Sequence, residues 1–491
     1  MSIQTPSSDR VSNGVSCVLK RAIVLTVAGS LSACAVGPDY HRPDTPVAAR
    51  FAAAEPAAFS QEQAQTQFWK QFGDETLDKL VDDALTANHD LRIALGHLAE
   101  ARAARHQSLY DFAPTVTTTG GHVTRKVPQV ETGFPFTASY YDAGFDATWE
   151  LDLFGRVRRE NEAARADLQG VEANLQDAQV SVVAEVARTY FELRGEQYQL
   201  AVARKNVENQ TETFQLTDAR LKAGRGTELD TSRAQSQLST TLAKIDPLEA
   251  AVSRSVHRLG VLTGRDPNAL TDVLTPAKDL PGLPQITAVG DPGALLRRRP
   301  DIRVAERQLA ASNARIGVAV GDLFPKVTFT GSFGYDAASL NGLGTSPSKA
   351  YSIGPSISWA AFDLGRVHAQ VAGARARTDT ALAQYEKTVL NALEETENAL
   401  VTHARTRDQL THATDAAQSS AAAARLAHIR YEGGIIDFLE VLDAERTQLE
   451  TEDRMAQSRT DAATSLVAVY KALGGAWEGA PLPRYTRVSN R

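Results

Sequence analysis

Residues 301–332, DIRVAERQLAASNARIGVAVGDLFPKVTFTGS, have a counterpart earlier in the chain at residues 90–121, DLRIALGHLAEARAARHQSLYDFAPTVTTTGG. The later stretch follows the earlier one by a constant shift of 211 positions. The matched pairs include Asp90 with Asp301, Arg92 with Arg303, Pro114 with Pro325, Val116 with Val327 and Gly120 with Gly331. A shift that stays constant over a long stretch indicates an internal duplication, in which each copy builds the same structural unit.

The duplication continues beyond these residues. The segment YYDAGFDATWELDLFGRV at 140–157 aligns with AYSIGPSISWAAFDLGRV at 350–367 with a shift of 210, and Trp149 matches Trp359. The two copies meet in the proline-rich stretch TPAKDLPGLP at 275–284. Clustered prolines and a glycine predict a linker between the two repeats.

Each repeat contains segments that alternate between apolar and polar residues, the pattern of β-strands with two different faces. The three clear segments cover 141–151, 327–335 and 351–359. A fourth, which begins at Val116, is a weaker copy that the duplication supports. Runs of about ten residues with an aromatic, apolar face are typical of transmembrane barrel strands, although a soluble antiparallel sheet has the same pattern.

Four strands cannot form a complete membrane sheet. Open strand edges are not tolerated in the hydrocarbon core, and bacterial outer-membrane barrels have at least eight strands. Two chains would supply eight strands and a filled interior, whereas three would supply twelve and room for a channel. The polar face of the second strand carries three carboxylates, Asp142, Asp146 and Glu150. We therefore expect an oligomer with a wet lumen that attracts cations.

Long stretches without proline follow each pair of strands. No proline lies between Pro135 and Pro247, or between Pro355 and Pro481. Residues 156–222 are rich in Ala, Gln, Glu, Arg and Leu, which are good helix formers. A helix of that length spans on the order of 100 Å. The fold class we expect is therefore mainly α with a small β part.

Shorter helices and turns complete each repeat in this interpretation. The return segment at about 229–263 is predicted as one helix, and a second helix at about 300–323 leads into the third strand. The two could stack end to end beside the long helix. Glycines predict the turns of the two helical hairpins: Gly224 and Gly226 in the first, Gly433 and Gly434 in the second. Just before the helix at 300, Arg297, Arg298 and Arg299 are interpreted as a solvated, ion-paired face.

The amino terminus has the pattern of a secretory signal. Lys20 and Arg21 precede a short apolar run, and small residues lead to Cys34. Leu31-Ser32-Ala33-Cys34 is similar to a bacterial lipobox, in which the cysteine becomes the lipidated first residue; an ordinary signal peptide with a chance cysteine is the alternative. Ala35 after the cysteine indicates sorting to the outer membrane. Cys17, the other cysteine, lies in the removed part, so a disulfide framework is excluded.

Composition and motifs argue against nucleic-acid binding and catalysis. The net charge is −7 and charged residues make up 23% of the chain, without the basic stripe that nucleic-acid binding requires. The sequence contains no HExxH, GxSxG, Walker A or CxxC signature. Its ten histidines are scattered without the spacing of metal ligands. We therefore expect neither an enzyme nor a bound metal or cofactor.

Five motifs together resemble the TolC-like outer membrane efflux factors, in the lipoprotein branch sometimes called the NodT group. They spread over nearly the whole mature chain in the expected order: CAVGPDYHRP at 34–43, FWKQFGDETLDKLVDDALTANHDL at 68–91, RRPDIRVAERQLAASNA at 298–314, FDLGRV at 362–367 and RYEGGIIDFLEVLDAER at 430–446. The resemblance implies a homotrimer in the outer membrane lipid, with four strands per protomer in a twelve-stranded β-barrel and the helices in a long periplasmic α-barrel.

The resemblance also implies a function. The chain would be the passive exit duct of a tripartite efflux pump that exports small molecules. Its partners would be a periplasmic adaptor and an inner-membrane transporter, often of the resistance–nodulation–division class. N-terminal, linker and C-terminal segments would form a belt around the equator. A duct for type I protein secretion would share this fold, and a purely structural lipoprotein is a third alternative.

In relatives, the periplasmic end is closed by a leucine, an aspartate and an arginine of the second hairpin. The matching positions are Leu439, Asp443 and Arg446, whereas the first hairpin has Arg233 and Ser236 in place of the last two. Asp443 and Arg446 could equally be a plain i,i+3 surface pair. The resemblance places the adaptor contacts at the hairpin turns: Gly224, Arg225, Gly226, Thr227, Gly434, Ile435, Ile436 and Asp437.

These observations predict a division of the chain into six parts. They are a lipoprotein signal peptide (1–33), a lipidated N-terminal segment and strap (34–75), a first repeat (76–274), a linker (275–290), a second repeat (291–475) and a C-terminal tail (476–491).

Overall fold

The computed structural model describes residues 35–55, 58–63, 65–127, 133–284, 286–475 and 477. The predicted signal peptide, Cys34 and most of the C-terminal tail lie outside these residues. The α-helices within them are α1 (Glu75–Ala87), α2 (His89–Tyr110), α3 (Arg156–Lys222), α4 (Glu228–Leu242), α5 (Ile245–Leu262), α6 (Thr271–Leu274), α7 (Pro292–Arg298), α8 (Pro300–Gly321), α9 (Leu364–Glu432) and α10 (Phe438–Ala472).

The strands are β1 (Phe59–Ser60), β2 (Thr115–Val127), β3 (Phe136–Leu151), β4 (Thr287–Ala288), β5 (Lys326–Ala337) and β6 (Lys349–Ser358). All four predicted segments are therefore strands, including the weak copy that begins near Val116. The described chain is mainly helical with a small sheet part, which confirms the predicted fold class.

The chain folds into two compact units, and each takes residues from both repeats. The strand unit contains the described residues of Met1–Asp44, Ala99–Val171 and Val304–Tyr385. The helix unit contains those of Thr45–Leu98, Glu172–Arg303 and Glu386–Arg491. A compact unit is therefore not a repeat, because each repeat contributes strands to the first unit and helical hairpins to the second.

The strand unit holds an antiparallel sheet in the order β2-β3-β5-β6. Asp146 lies opposite Thr117 on one side and Ser332 on the other. Phe145 lies opposite Phe333. Because neighbouring strands keep this register, polar residues share one face of the sheet and apolar residues share the other.

The two repeats contain the same tryptophan hydrogen bond at equivalent positions. The indole Nε1 of Trp149 donates to the carbonyl oxygen of Phe112 at 3.0 Å. The indole Nε1 of Trp359, its counterpart, donates to the carbonyl oxygen of Leu323 at 3.0 Å. In each repeat, the end of the second strand is thus tied to the segment that joins the second helix to the first strand.

The long helices match the prediction closely, but the first return segment does not. Helix α3 has 67 residues and α9 has 69. The predicted single helix at 229–263 was wrong, because α4 ends at Leu242 and α5 begins at Ile245. Pro247 explains the break: its ring would clash with the carbonyl of Ala243 in a continuous helix, whereas the first turn of a new helix tolerates proline. Helix α10 contains no proline and runs unbroken for 35 residues.

In the helix unit, the N-terminal, linker and C-terminal segments come together. Strand β1, from the N-terminal segment, pairs in parallel with β4 of the linker. The ring of Phe68 stacks on that of Tyr470 with 4.7 Å between centroids. Leu280 and Leu283 of the linker pack against the same hydrophobic core. The linker is therefore anchored to the core rather than a free tether.

Each repeat closes on itself through a polar side chain near the start of its second helix. In the first repeat, the Asn88 amide donates to the carbonyl oxygen of Leu262 at 2.9 Å. In the second, the Arg299 guanidinium donates to the carbonyl oxygen of Ala472 at 2.8 Å. The two donors, Asn88 and Arg299, are 211 positions apart, and the two acceptors, Leu262 and Ala472, are 210 positions apart, so the bonds occupy equivalent places in the duplication.

The predicted solvated face at Arg297–Arg299 was wrong for Arg299. This side chain is only 10% exposed and forms 2.7 Å ion pairs with Asp301 and Glu395. It is buried because it joins the start of α8 to α9 and to the end of α10. Arg297 is exposed, as expected.

Among the residues that the structure describes, no helix is both long and apolar enough to span a bilayer. The same residues hold no group of three or more His, Cys, Asp or Glu side chains arranged to bind a metal ion.

Candidate functional site

The segment that follows Cys34 is fastened to the end of β3 and the start of α3. The Val36 amide donates to the carbonyl oxygen of Phe154 at 3.0 Å. Gly37 adopts a φ of 93°, which favours glycine, and a Cβ there would lie 2.4 Å from the Cα of Gly317. The Arg159 guanidinium donates to the carbonyl of Val36 at 3.0 Å and to Asp39 at 2.7 Å. Val36, two residues after Cys34 in the sequence, is therefore held beside the end of β3.

Tyr40 anchors the same segment to α8. Its hydroxyl donates to Glu306 Oε1 at 2.7 Å, and the Arg307 guanidinium pairs with the same carboxylate. Arg307 also lies over the Tyr40 ring, 5.7 Å from its centroid. Burial, and then the Glu306 carboxylate, raise the pKa of Tyr40 well above its usual range. The phenol therefore stays protonated and keeps donating at physiological pH.

The three predicted lumen carboxylates lie on the polar face of the sheet, but they differ in their surroundings. Asp142 lies directly opposite Asp336 on β5, so two carboxylates face each other across the strands. Asp146 accepts a hydrogen bond from Thr119 at 3.1 Å. Glu150 forms a two-bond ion pair with Arg156, at 2.9 and 2.7 Å. Glu150 is thus neutralised locally, and the negative face is centred on Asp142, Asp146 and Asp336.

The opposite face of the sheet is apolar and exposed in the single chain. Its exposed side chains include Val116, Phe145, Trp149, Phe329, Phe333, Tyr351, Ile353 and Ile357. A contiguous apolar patch of this kind marks a surface that meets lipid or another protein.

The two predicted hairpin turns have the same backbone geometry. Gly224 and Gly434 have φ angles of 72° and 71°. The Arg225 amide donates to the carbonyl of Arg220 at 2.8 Å, and the Ile435 amide donates to that of Arg430 at 2.9 Å. These are the bonds that end a helix in an αL glycine turn.

The turns differ in their side chains. Thr227 caps α4 by accepting a bond from the Asp230 amide, whereas the Asp437 side chain makes no capping bond to α10. Gly226 and Ile436 are half-buried, and the other predicted adaptor-contact residues are exposed. Ile435 is 68% exposed, which leaves a large apolar side chain at the second turn.

The three predicted gate residues share one face of α10. Leu439 is 55% exposed. Arg446 donates to Asp443 at 3.1 Å, and both side chains are well exposed. Within one chain, this is the i,i+3 pair of the alternative interpretation, so the gate assignment stays a prediction.

Side chains that the sequence reasoning missed tie the two hairpins together. Arg220 donates to the carbonyl of Tyr431 at 2.9 Å, and its guanidinium lies 3.9 Å from the centre of the Tyr431 ring. Glu445, buried behind the predicted gate, accepts bonds from Thr213 and His428, each at 2.6 Å. Glu445 could have been noticed in the sequence because it is a charged residue within the apolar stripe of α10. Its partners Thr213 and His428 could not, because they lie on other helices.

A comparison with models of protein families shows which family the chain belongs to. The family model described as "Outer membrane efflux protein" matches residues 80–265 and 292–475. The chain belongs to this family. The two matched segments correspond to the two repeats, as expected if the family is built from a duplication.

Individual relatives of this efflux protein agree with the family assignment. Outer membrane protein OprJ of Pseudomonas aeruginosa is 35% identical over 459 residues, which cover 92% of this chain and 95% of OprJ. The probable efflux pump outer membrane protein TtgC of Pseudomonas putida is 32% identical, with 91% of this chain and 93% of TtgC covered. The solved structure of the outer-membrane channel OprN is 45% identical, has a TM-score of 0.86, and covers 91% of this chain and 100% of its own.

These findings confirm the resemblance and the central functional predictions. The protein is an outer membrane efflux component, located in the outer membrane, that works with the other components of a pump. Its relatives are named as channel and transport proteins.

Proposed function

We propose that this chain is the passive exit duct of a tripartite efflux pump, that three copies form the duct, and that it carries out no catalysis. The observation that carries this proposal is the four-stranded sheet with a polar and an apolar face and with β2 and β6 at its edges. Strands β2 and β6 run in opposite directions, so β6 of one copy can pair antiparallel with β2 of the next. Three sheets joined in this way form a twelve-stranded barrel with its polar face inward and its aromatic face towards lipid.

The helical hairpins reach the other components of the pump. A periplasmic adaptor contacts the turns at 224–227 and 434–437, where glycines permit close backbone approach. An inner-membrane transporter, of the resistance–nodulation–division class, supplies the energy and selects the compounds. Neither partner requires a cofactor or metal in this chain.

At the periplasmic end, Leu439, Asp443 and Arg446 form the gate between copies. Their shared face on α10 supports this role, because leucine rings can narrow and dry a pore while Asp443 and Arg446 pair with neighbouring helices. We expect Asp443→Ala to raise the single-channel conductance in a planar bilayer. Unchanged conductance would remove Asp443 from the gate.

The lipid anchor at Cys34 is supported by the fixed segment that follows it. Val36, two residues further along the sequence, is held at the end of β3, where a membrane strand leaves the bilayer. Intact-mass analysis of the mature protein should show a lipidated N-terminal cysteine. An unmodified chain that begins elsewhere would overturn this assignment.

A susceptibility panel on cells that lack the gene tests the efflux function itself. The panel covers antibiotics, dyes, detergents, aromatic acids and metals. Sensitivity to any group, restored by the intact gene, supports export and identifies the class of compound. A flat panel together with the loss of a secreted protein would support the type I secretion duct instead.

A further inference from the structure

Glu445 lies between Asp443 and Arg446 in sequence, but on the opposite side of the helix. Successive residues of an α-helix are about 100° apart, so Leu439, Asp443 and Arg446 fall within about 60° of one another. Glu445 lies roughly 100° to 160° away from each of them. Its face also carries Phe438 and Val441, which pack in a core cluster with Tyr431. Any bond that Glu445 makes therefore sets the direction in which the predicted gate residues point.

Glu445 makes two such bonds, to two different helices. His428 Nε2 on α9 lies 2.6 Å from Glu445 Oε1. The Thr213 hydroxyl on α3 donates to the same oxygen at 2.6 Å. Glu445 is 8% exposed and Thr213 is 4% exposed. A single carboxylate oxygen thus joins the two helices of the second hairpin, α9 and α10, and connects them to α3 of the first hairpin.

These bonds border a cavity of about 510 Å³ between α3, α9 and α10. The charged groups around His428 come from all three helices: Glu212 from α3, Arg425 and Glu432 from α9, and Glu445 from α10. Three carboxylates and one guanidinium therefore border the same cavity as the imidazole, and the three carboxylates act on its charge. This surplus of negative charge favours the imidazolium form.

We propose that His428 and Glu445 are positioning residues of the periplasmic gate, and that protonation of His428 holds α10 in the orientation that directs Leu439, Asp443 and Arg446 towards the neighbouring copy. This inference rests on the proposed gate and adds its regulation. When His428 is protonated, both partners of its bond to Glu445 are charged, and this ion-paired hydrogen bond is stronger than the bond that a neutral imidazole donates to the same carboxylate. We call the hydrogen bonds that Glu445 accepts from Thr213 and His428 the clasp. Loss of the proton weakens the clasp and frees α10 to rotate.

The direction of the pH effect follows from the pKa. The bond to Glu445 raises the pKa of His428 above its ordinary value, against the opposing effect of burial. For a histidine with a raised pKa, the clasp is fully formed below the ordinary value of about 6.5 and is lost as pH rises through the raised value. The gate is therefore tightest below a pH of about 6.5 and loosens as pH rises through the raised pKa of His428.

The test is the single-channel conductance of the purified full-length protein in planar bilayers between pH 5.5 and 9. The wild-type conductance should rise with pH, and each pKa unit of difference between the two gate states changes their ratio about tenfold. His428→Gln should give a high conductance at every pH. His428→Lys, which stays charged, should give a low conductance at every pH. His412→Gln, which removes an exposed histidine of the same helix, should keep the wild-type profile.

The outcomes separate this inference from the gate itself. If His428→Gln retains the wild-type pH profile while Asp443→Ala raises conductance, the clasp is wrong and the gate stands. If the His428 variants behave as expected but Asp443→Ala has no effect, the clasp stands and acts through other residues of α10. A wild-type conductance that does not change with pH overturns the clasp. Glu445→Gln serves as a second variant, because it keeps the acceptor and should flatten the profile in the same way.

Discussion

Arg299→Met tests the idea that one buried guanidinium closes the second repeat. The side chain is 10% exposed and donates to Asp301, to Glu395 and to the carbonyl oxygen of Ala472. Methionine has a similar length but provides no charge and no donor. The substitution leaves two carboxylates without their cation. It also removes the shorter of the two bonds to the Ala472 carbonyl, which keeps only the Thr396 hydroxyl at 3.4 Å.

The expected cost follows from the burial of these groups. Breaking a buried ion pair by removing one partner costs about 3–5 kcal/mol. Glu395 is 44% exposed and Asp301 is 30% exposed, so water replaces part of the interaction, and the lower end, about 3 kcal/mol, applies. At about 2 °C per kcal/mol for a unit of this size, the melting temperature should fall by about 6 °C.

Measuring the melting temperature at several pH values gives a second test of the charged groups around Arg299. Burial raises the pKa of Asp177, the Asp301 carboxylate adds to this, and Arg299 opposes it. Without Arg299, the carboxyl groups repel one another more strongly when ionised. A carboxyl with a raised pKa destabilises the fold as pH rises through that value, so the deficit of the variant should be smaller at pH 5 than at pH 8.

The assay is thermal unfolding of the purified protein in detergent, followed by tryptophan fluorescence at a fixed scan rate. Arg297→Met is the matched control, because Arg297 lies two residues away and is exposed. If Arg299→Met and Arg297→Met melt within about 1 °C of each other, the guanidinium does not close the repeat and the reasoning fails.

Two further substitutions and one pH dependence probe other parts of the fold. Gly144→Ala should reduce trimer assembly in the outer membrane, measured as the SDS-resistant fraction, because its Cβ would lie 2.8 Å from the backbone oxygen of the neighbouring strand. Gly37→Ala should increase hydrogen exchange at the Val36 amide, because the φ of 93° and the 2.4 Å approach both exclude a side chain. Burial lowers the pKa of His403 to about 4, so urea stability should fall by up to about 3 kcal/mol from pH 6.5 to pH 4.

Each of these predictions has a control within the chain. Gly354 is the counterpart of Gly144 in the duplication, and a Cβ there meets nothing within 4 Å, so Gly354→Ala should assemble normally. Gly282→Ala serves the same purpose for Gly37. For His403, the variant His403→Asn should lose the acid-dependent decline; if both proteins decline equally, other groups cause it.

The sequence predicted the local structure well wherever a periodic pattern was strong. The alternating segments became β2, β3, β5 and β6, and the duplication identified the weak one. Proline-free composition located α3 and α9. The helix predicted at 229–263 was wrong because it contains Pro247. The clash of its ring with the carbonyl of Ala243 depends on the position of one residue, and the overall composition of the segment does not show it.

The candidate site was less accessible to sequence reasoning. The hairpin turns were located by their glycines, and the structure gives both the same backbone geometry. Glu150 was assigned to an acidic lumen, but its ion pair with Arg156 depends on where β3 ends and α3 begins. Arg299 was assigned to a solvated face, because its acceptors Glu395 and Ala472 are far away in sequence.

The sequence alone therefore determined the repeat, the type of each long element and the faces of the strands, since all three depend on residues that are neighbours along the chain. Only the tertiary structure decided which charges are neutralised and which residues join the hairpins. Thr213, His428 and Glu445 come from three helices, and each is ordinary in its own segment. Their hydrogen bonds exist because packing brings side-chain atoms of three helices within 3 Å of one another. The energy of such a contact depends on how deeply it is buried, which a pattern of neighbouring residues does not show.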